Sequence, residues 1–142
     1  MRKSNLRDFE QNLPMALLRA REAVMSRFRP ILREHGLTEQ QWRVIRALHG
    51  EDGLEVTALA DKTLLLMPSL TRILKTMEEQ GWVKRFAVEG DNRRRQMRLS
   101  KSGHALFAKI APQSEGEYND IESDVGAEDM DQLYALLNRL AR

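Results

Sequence analysis

The chain contains no cysteine. It can therefore form neither disulfides nor thiolate metal sites, and it cannot sense oxidants through cysteine chemistry. No apolar run approaches the ~18 residues that a membrane-spanning helix needs, and the N-terminus lacks a signal-peptide core. A cytoplasmic location, with no membrane partner, is the expectation. The three histidines, His35, His49 and His104, are scattered without metal-ligand spacing, and no phosphate-binding glycine loop or nucleophile elbow occurs. These absences speak against an enzyme and against a metal or organic cofactor.

What is present suits one small globular protein. With 142 residues, 42% of them apolar, the chain can build a single core, and it is short for two. Its net charge of +2 is modest, but the charge is segregated. Lys84 to Lys101 holds seven basic and two acidic residues, whereas Glu115 to Asp131 holds eight acidic residues and no basic one. Such a distribution gives a positive face able to meet a polyanion.

The most informative stretch runs from Met67 to Lys101. Pro68 suits the first turn of a helix. Leu70, Ile73, Leu74 and Met77 follow at helical spacing as one apolar stripe. The opposite face carries Ser69, Thr71, Arg72, Lys75 and Thr76, side chains able to reach phosphates or base edges. Gly81 occupies the position of a left-handed cap. Trp82 to Ala87 and Gln96 to Leu99 read as strands, joined by a loop with turn residues Gly90, Asp91 and Asn92 and three arginines, Arg93, Arg94 and Arg95. A polar-faced helix beside an arginine-tipped hairpin is the pattern of a winged-helix DNA reader.

Around this stretch the chain reads as helical. Met1 to Asp8 is polar and expected to fray. Asn12 and Pro14 suit the start of a helix carrying Leu13, Leu17, Ala20, Val24, Phe28 and Ile31 on one side. Leu18, Met25 and Leu32 flank that line, so the helix is expected to meet two neighbours. Pro30 is expected to kink it or split it after Arg29, and Gly36 closes it. Thr38-Glu39-Gln40-Gln41 forms a capping box for a helix that buries Trp42, Ile45 and Leu48. Val56 to Lys62 forms a short helix, and Leu64 to Met67 the turn into the polar-faced one, a helix-turn-helix arrangement. Ser100 can cap a helix from Lys101, which Pro112 is expected to bend or interrupt. A last helix from about Ala127 lines up Leu133, Leu136, Leu137 and Leu140, which need a cover beyond one small core; the terminal helices therefore read as a dimer platform.

These elements, with Pro68-Ser69-Leu70-Thr71-Arg72-Ile73-Leu74, Gly81-Trp82-Val83-Lys84-Arg85, Asp91-Asn92-Arg93 and Arg98-Leu99-Ser100-Lys101-Ser102-Gly103, resemble MarR-type transcriptional regulators over essentially the whole chain. Leu17 to Ala23, Phe28-Arg29-Pro30-Ile31 and Leu37 to Arg43 resemble the subgroup that regulates homoprotocatechuate degradation operons. The resemblance implies a mainly α fold with a small β-hairpin wing. Residues 1–37 and 101–142 would form the dimerisation helices, and residues 38–100 the winged helix-turn-helix lobe. It also implies a homodimeric repressor on a pseudo-palindromic duplex DNA operator, released by a small aromatic acid such as 3,4-dihydroxyphenylacetate or 4-hydroxyphenylacetate. Arg72 and Lys75 depart from the subgroup pattern, so no operator sequence is carried over.

In this reading Arg72 is the candidate for a bidentate guanine contact, with Ser69, Thr71, Lys75 and Thr76 positioning or tuning. The resemblance makes Arg93 a minor-groove finger oriented by Asp91, while Arg94, Arg95, Lys84 and Arg85 meet phosphates. For the effector, the residues able to hold a carboxylate or stack on a phenol ring are Arg19, Arg21, His35, Trp42 and Arg46. Each has a plainer alternative. Trp42 can fill the core, His35 can sit at a helix C-terminus, and the arginines can pair with Glu22 or Glu34. The alternative functions are a regulator of a stress or efflux operon with another ligand, and a winged-helix module that binds protein.

Overall fold

In the computed structural model, which describes residues 6–142 apart from the Asn92 side chain, helix α1 (Leu13–Glu34) starts where the sequence supplies a cap. The Asn12 side-chain oxygen accepts the Met15 N–H at 3.0 Å. Pro30 lies inside α1 without splitting it. A proline removes one N–H from the ladder, and the other bonds of a 22-residue helix carry it past that gap. The helix ends at Gly36, whose φ is 73°. Gly36 N–H donates to the Arg33 carbonyl and Leu37 N–H to the Leu32 carbonyl, the paired closure of a Schellman motif. Of the N-terminal stretch expected to fray, residues 1–5 lie outside the described residues; Leu6–Asp8 are neither helix nor strand, and a 3-10 turn covers Phe9–Gln11.

Next come α2 (Glu39–His49), a two-residue strand β1 (Leu54–Glu55), α3 (Val56–Thr63) and α4 (Met67–Glu79). The capping box is formed: Gln41 N–H donates to Thr38 Oγ1 at 3.1 Å, and Thr38 N–H donates to Gln41 Oε1 at 3.0 Å. Strands β2 (Val83–Val88) and β3 (Asp91–Leu99) form the wing, and helices α5 (Lys101–Val125) and α6 (Ala127–Leu140) finish the chain. Helix α5 also runs unbroken through its proline, Pro112. The sheet is antiparallel with order β1-β3-β2. Strand β1 was not anticipated, because two residues are too few to display an alternation.

The chain forms two compact units, one of residues up to Pro30 together with Ser114–Arg142, the other Ile31–Gln113. In the central unit, Ile45, Leu48, Leu59, Leu70, Leu74, Met77, Met97 and Ile110 are fully buried, drawn from α2, α3, α4, β3 and α5. Ser100 caps α5 by accepting the Gly103 N–H at 3.0 Å. A Cβ on Gly103 would lie 2.1 Å from the Trp82 carbonyl oxygen, so only glycine allows α5 to come this close.

In the terminal unit, Phe28 is the one buried apolar side chain among the described residues, with its ring 4.8 Å from that of Tyr118. Arg27 pairs with Asp124, and Arg29 grips both Glu22 oxygens at 2.9 Å. The Arg29 guanidinium holds the Glu22 carboxyl below its ordinary pKa, by hydrogen bonding first and by charge second. Leu13, Leu17, Leu18, Val24, Leu133, Leu136 and Leu140 are exposed in the single chain.

Candidate nucleic-acid interface

Helix α4 is amphipathic as its spacing predicts. Leu70, Leu74 and Met77 are at 0% exposure, while Thr71, Arg72, Lys75 and Thr76 face outward and Ser69 is half-buried. Among the described residues no ion-pair partner meets the side chains of Arg72 or Lys75. The two threonines are less available than their hydroxyls suggest. Thr71 Oγ1 donates to the Met67 carbonyl at 2.8 Å, and Thr76 Oγ1 to the Arg72 carbonyl at 3.2 Å. Their protons are spent on the preceding turn, a common use of threonine within helices; their lone pairs remain.

Alongside α4 lies a groove of about 420 Å³, lined by Ser69, Arg72, Ile73 and Thr76 and, across from them, by Thr38, Gln40, Gln41 and Leu65. Thr38 and Gln40 did not figure among the sequence candidates. The signal was the capping box itself, which sets the first turn of α2 and with it the direction of the exposed Gln40 side chain.

The wing differs from its expected form. Only Glu89 and Gly90 separate β2 from β3, and Asp91 pairs with Val88. The next matched pair is Ala87 with Arg95, so residues 92–94 are extra on β3. The three arginines thus belong to an irregular strand rather than to a free loop, because Asp91 pairs directly after a two-residue turn. Asp91 accepts the Arg93 backbone N–H at 2.9 Å, an Asx-type contact. It shapes the backbone beneath Arg93 instead of gripping the guanidinium.

The basic residues divide by partner. Arg94 pairs with Glu55 of β1, and Arg85 with Glu78 of α4 at 2.9 Å. Arg95 Nη1 donates to the Arg94 carbonyl at 3.0 Å. Lys84 and Arg93 have no ion-pair partner among the described residues and are exposed. Arg98, also absent from the candidates, stacks over the Phe86 ring with its guanidinium carbon 4.7 Å from the centroid.

The effector candidates fall in different units. Arg19 and Arg21 belong to the terminal unit, and both are exposed; Arg19 donates to the Glu10 carbonyl at 3.2 Å. His35, Trp42 and Arg46 belong to the central unit. Trp42 is buried and stacked on Phe107 at 5.6 Å, which is a core role. The half-buried His35 lies 3.4 Å from Gln113 Nε2, and Arg46 is exposed. His49 and His104, distant in sequence, meet edge-on at 5.7 Å. No group of three or more metal-ligating side chains forms among the described residues. Nor is any helix among them long and apolar enough to cross a membrane.

Comparison with known proteins agrees with this architecture. The MarR family model matches residues 37–94. The chain is 45% identical over 126 residues to the homoprotocatechuate degradative operon repressor of Escherichia coli, covering 89% of this chain and 85% of that protein. It superposes on NadR in complex with 4-hydroxyphenylacetate with a TM-score of 0.83 and 37% identity, covering 98% of this chain and 99% of the other. On the transcriptional repressor CouR bound to a 23-mer DNA duplex the TM-score is 0.86 at 26% identity, covering 98% of this chain and all of the other, 100%. Sequence, fold and likeness converge: the chain belongs to the MarR family, as a transcriptional repressor and not an enzyme.

Proposed function

We propose that this protein acts in the cytoplasm as a homodimer on a pseudo-palindromic operator and governs an operon for breakdown of hydroxylated phenylacetates. The observation that carries the reading is the set of cations without ion-pair partners among the described residues on α4 and the adjoining wing: Arg72, Lys75, Lys84 and Arg93. Cations left unpaired on a reading helix and its wing suit the phosphates and base edges of duplex DNA. A protein-binding module has no need of such a set. The exposed leucines of α1 and α6 supply the matching apolar face for a second copy. The likenesses to the homoprotocatechuate operon repressor and to NadR with its hydroxyphenylacetate support the choice of operon and effector class.

In this mechanism two α4 helices, about one helical turn apart, enter successive major grooves. Arg72 takes a guanine edge, Ser69 and Lys75 set register, and Arg93 enters the minor groove. Arg85, Arg94 and Arg95 contribute to phosphate contact once their present partners are exchanged. A phenolic carboxylate that binds better to a form with the wrong helix spacing draws the population off DNA. Its anionic group is matched by Arg19 and Arg21 of the terminal unit or by His35 and Arg46 of the central unit, and alanine variants at each pair separate the two.

The test is titration of the complex between the protein and its own promoter with 3,4-dihydroxyphenylacetate and 4-hydroxyphenylacetate. Release at either acid is expected, and unchanged affinity removes the effector class. Arg93→Ala should weaken binding and lower the salt slope by about one ion. An unaltered slope removes Arg93 from the interface.

A further inference from the structure

The turn into α4 is unusually apolar for a surface turn. Leu66 is 77% exposed and Met67 41%, and Leu64 before them is also exposed, in a left-handed conformation with φ 57°. A leucine rarely adopts that conformation, which glycine or asparagine enters at less cost. Leu66 is the N-cap residue of α4 and makes no side-chain cap bond, although serine, threonine or aspartate there would satisfy a free N–H. Met67 and Thr71 lie one helical turn apart on the same side. With the Thr71 proton donated to the Met67 carbonyl, its methyl group extends the apolar edge. Next on the helix come Arg72 and Lys75, the exposed cations.

We infer that Leu66 and Met67, extended by the Thr71 methyl, form an apolar reading edge whose partner is the C5 methyl group of thymine in the major groove. This rests on the DNA-reading function proposed above. Within a major groove, the thymine methyl is the one apolar group the base edges present. The first residues of a reading helix are those that reach base edges. An apolar edge continuous with Arg72 therefore meets either thymine methyls or water, and the turn forgoes its polar cap in either case. Arg72 selects guanine and the edge beside it selects thymine, so the two together define adjacent positions in each half-site.

The experiment uses the full-length protein and a duplex it enriches from a random pool. Each thymine is replaced in turn by deoxyuridine, which keeps every hydrogen bond and removes only the methyl. For wild type, at least one position in each half-site is expected to weaken binding about fourfold on replacement, the value of one buried methyl. For Leu66→Ala/Met67→Ala, binding to the thymine duplex should fall by a similar factor, while binding to the deoxyuridine duplex matches wild type. That match also shows that the variant is folded. If a duplex is enriched yet no replacement matters, or the variant retains the thymine preference, the apolar edge is refuted and the DNA-reading function stands. If no duplex is enriched, that function fails and the inference with it.

Discussion

The central and terminal units are made of similar residues and end in opposite states. Every buried apolar side chain among the described residues except Phe28 belongs to the central unit, which closes a core from residues of five helices and two strands. The terminal unit leaves leucines at 44% (Leu133), 45% (Leu136) and 56% (Leu140) exposure along one helix. Regular apolar spacing therefore makes a helix amphipathic in both places. It does not say whether the covering surface lies in the same chain. The central unit covers its own apolar residues, whereas the terminal unit presents an apolar face that suits the second copy proposed above.

Leu136 tests the terminal face most severely. If the terminal face is a twofold interface, Leu136→Glu disturbs it twice and costs the dimer about 3–6 kcal/mol. Sedimentation should then show monomer where wild type is dimeric, and a wild type that is itself monomeric would remove the distinction between the units. In the central unit, Leu74→Ala empties a fully buried position. It should lower unfolding free energy by about 2–5 kcal/mol in urea titrations; a loss under 1 kcal/mol, which ~0.5 kcal/mol surface effects approach, means that the core is loosely packed.

Helix α5 allows a finer contrast, since it carries one glycine in each unit. Alanine usually stabilises a helix by about 1 kcal/mol over glycine. Gly116, in the terminal unit, has open space around it, and Gly116→Ala should raise stability by about that amount. Gly103, in the central unit, abuts the Trp82 carbonyl, so Gly103→Ala should lower stability by about 1–3 kcal/mol. Opposite signs in thermal melts sharpen the comparison; two gains would show that the Gly103 contact can relax.

The smallest effect belongs to the Glu22–Arg29 pair. Glu22 is held below its ordinary value of 4.5, so its contribution is fully present above that value. The contribution is lost as pH falls through the lowered pKa. Acidification should therefore cost wild type slightly more than Arg29→Gln, and parallel melting curves would show that the exposed pair contributes nothing.

Much of this was legible in the sequence because the signals are local. The capping box at Thr38 and Gln41, the left-handed closures at Gly36 and Gly81, and the stripe from Leu70 to Met77 each depend on residues within a turn or two. Neither Pro30 nor Pro112 ends its helix, because the local penalty of one proline is small against the bonds of a helix of 22 or 25 residues. The wing departs from its expected form for a different reason. Strand β1, the three-residue jump on β3 and the ion pairs of Arg85 and Arg94 are non-local, and the row of arginines gave no hint of them. Thr71 and Thr76 face outward as their spacing predicts, and only the structure shows that each donates its hydroxyl proton to the carbonyl four residues earlier.

By itself the sequence determined the helices, their caps, the supply of cations and the exclusion of thiol chemistry. Only the tertiary structure decided which cations keep no ion-pair partner among the described residues. Glu55 and Arg94 stand 39 residues apart, and sheet register alone brings them together. Among the described residues the Arg72 and Arg93 side chains make no ion pair. Local structure follows from neighbours in the chain, whereas the charge that a surface finally presents depends on which distant residues folding makes adjacent.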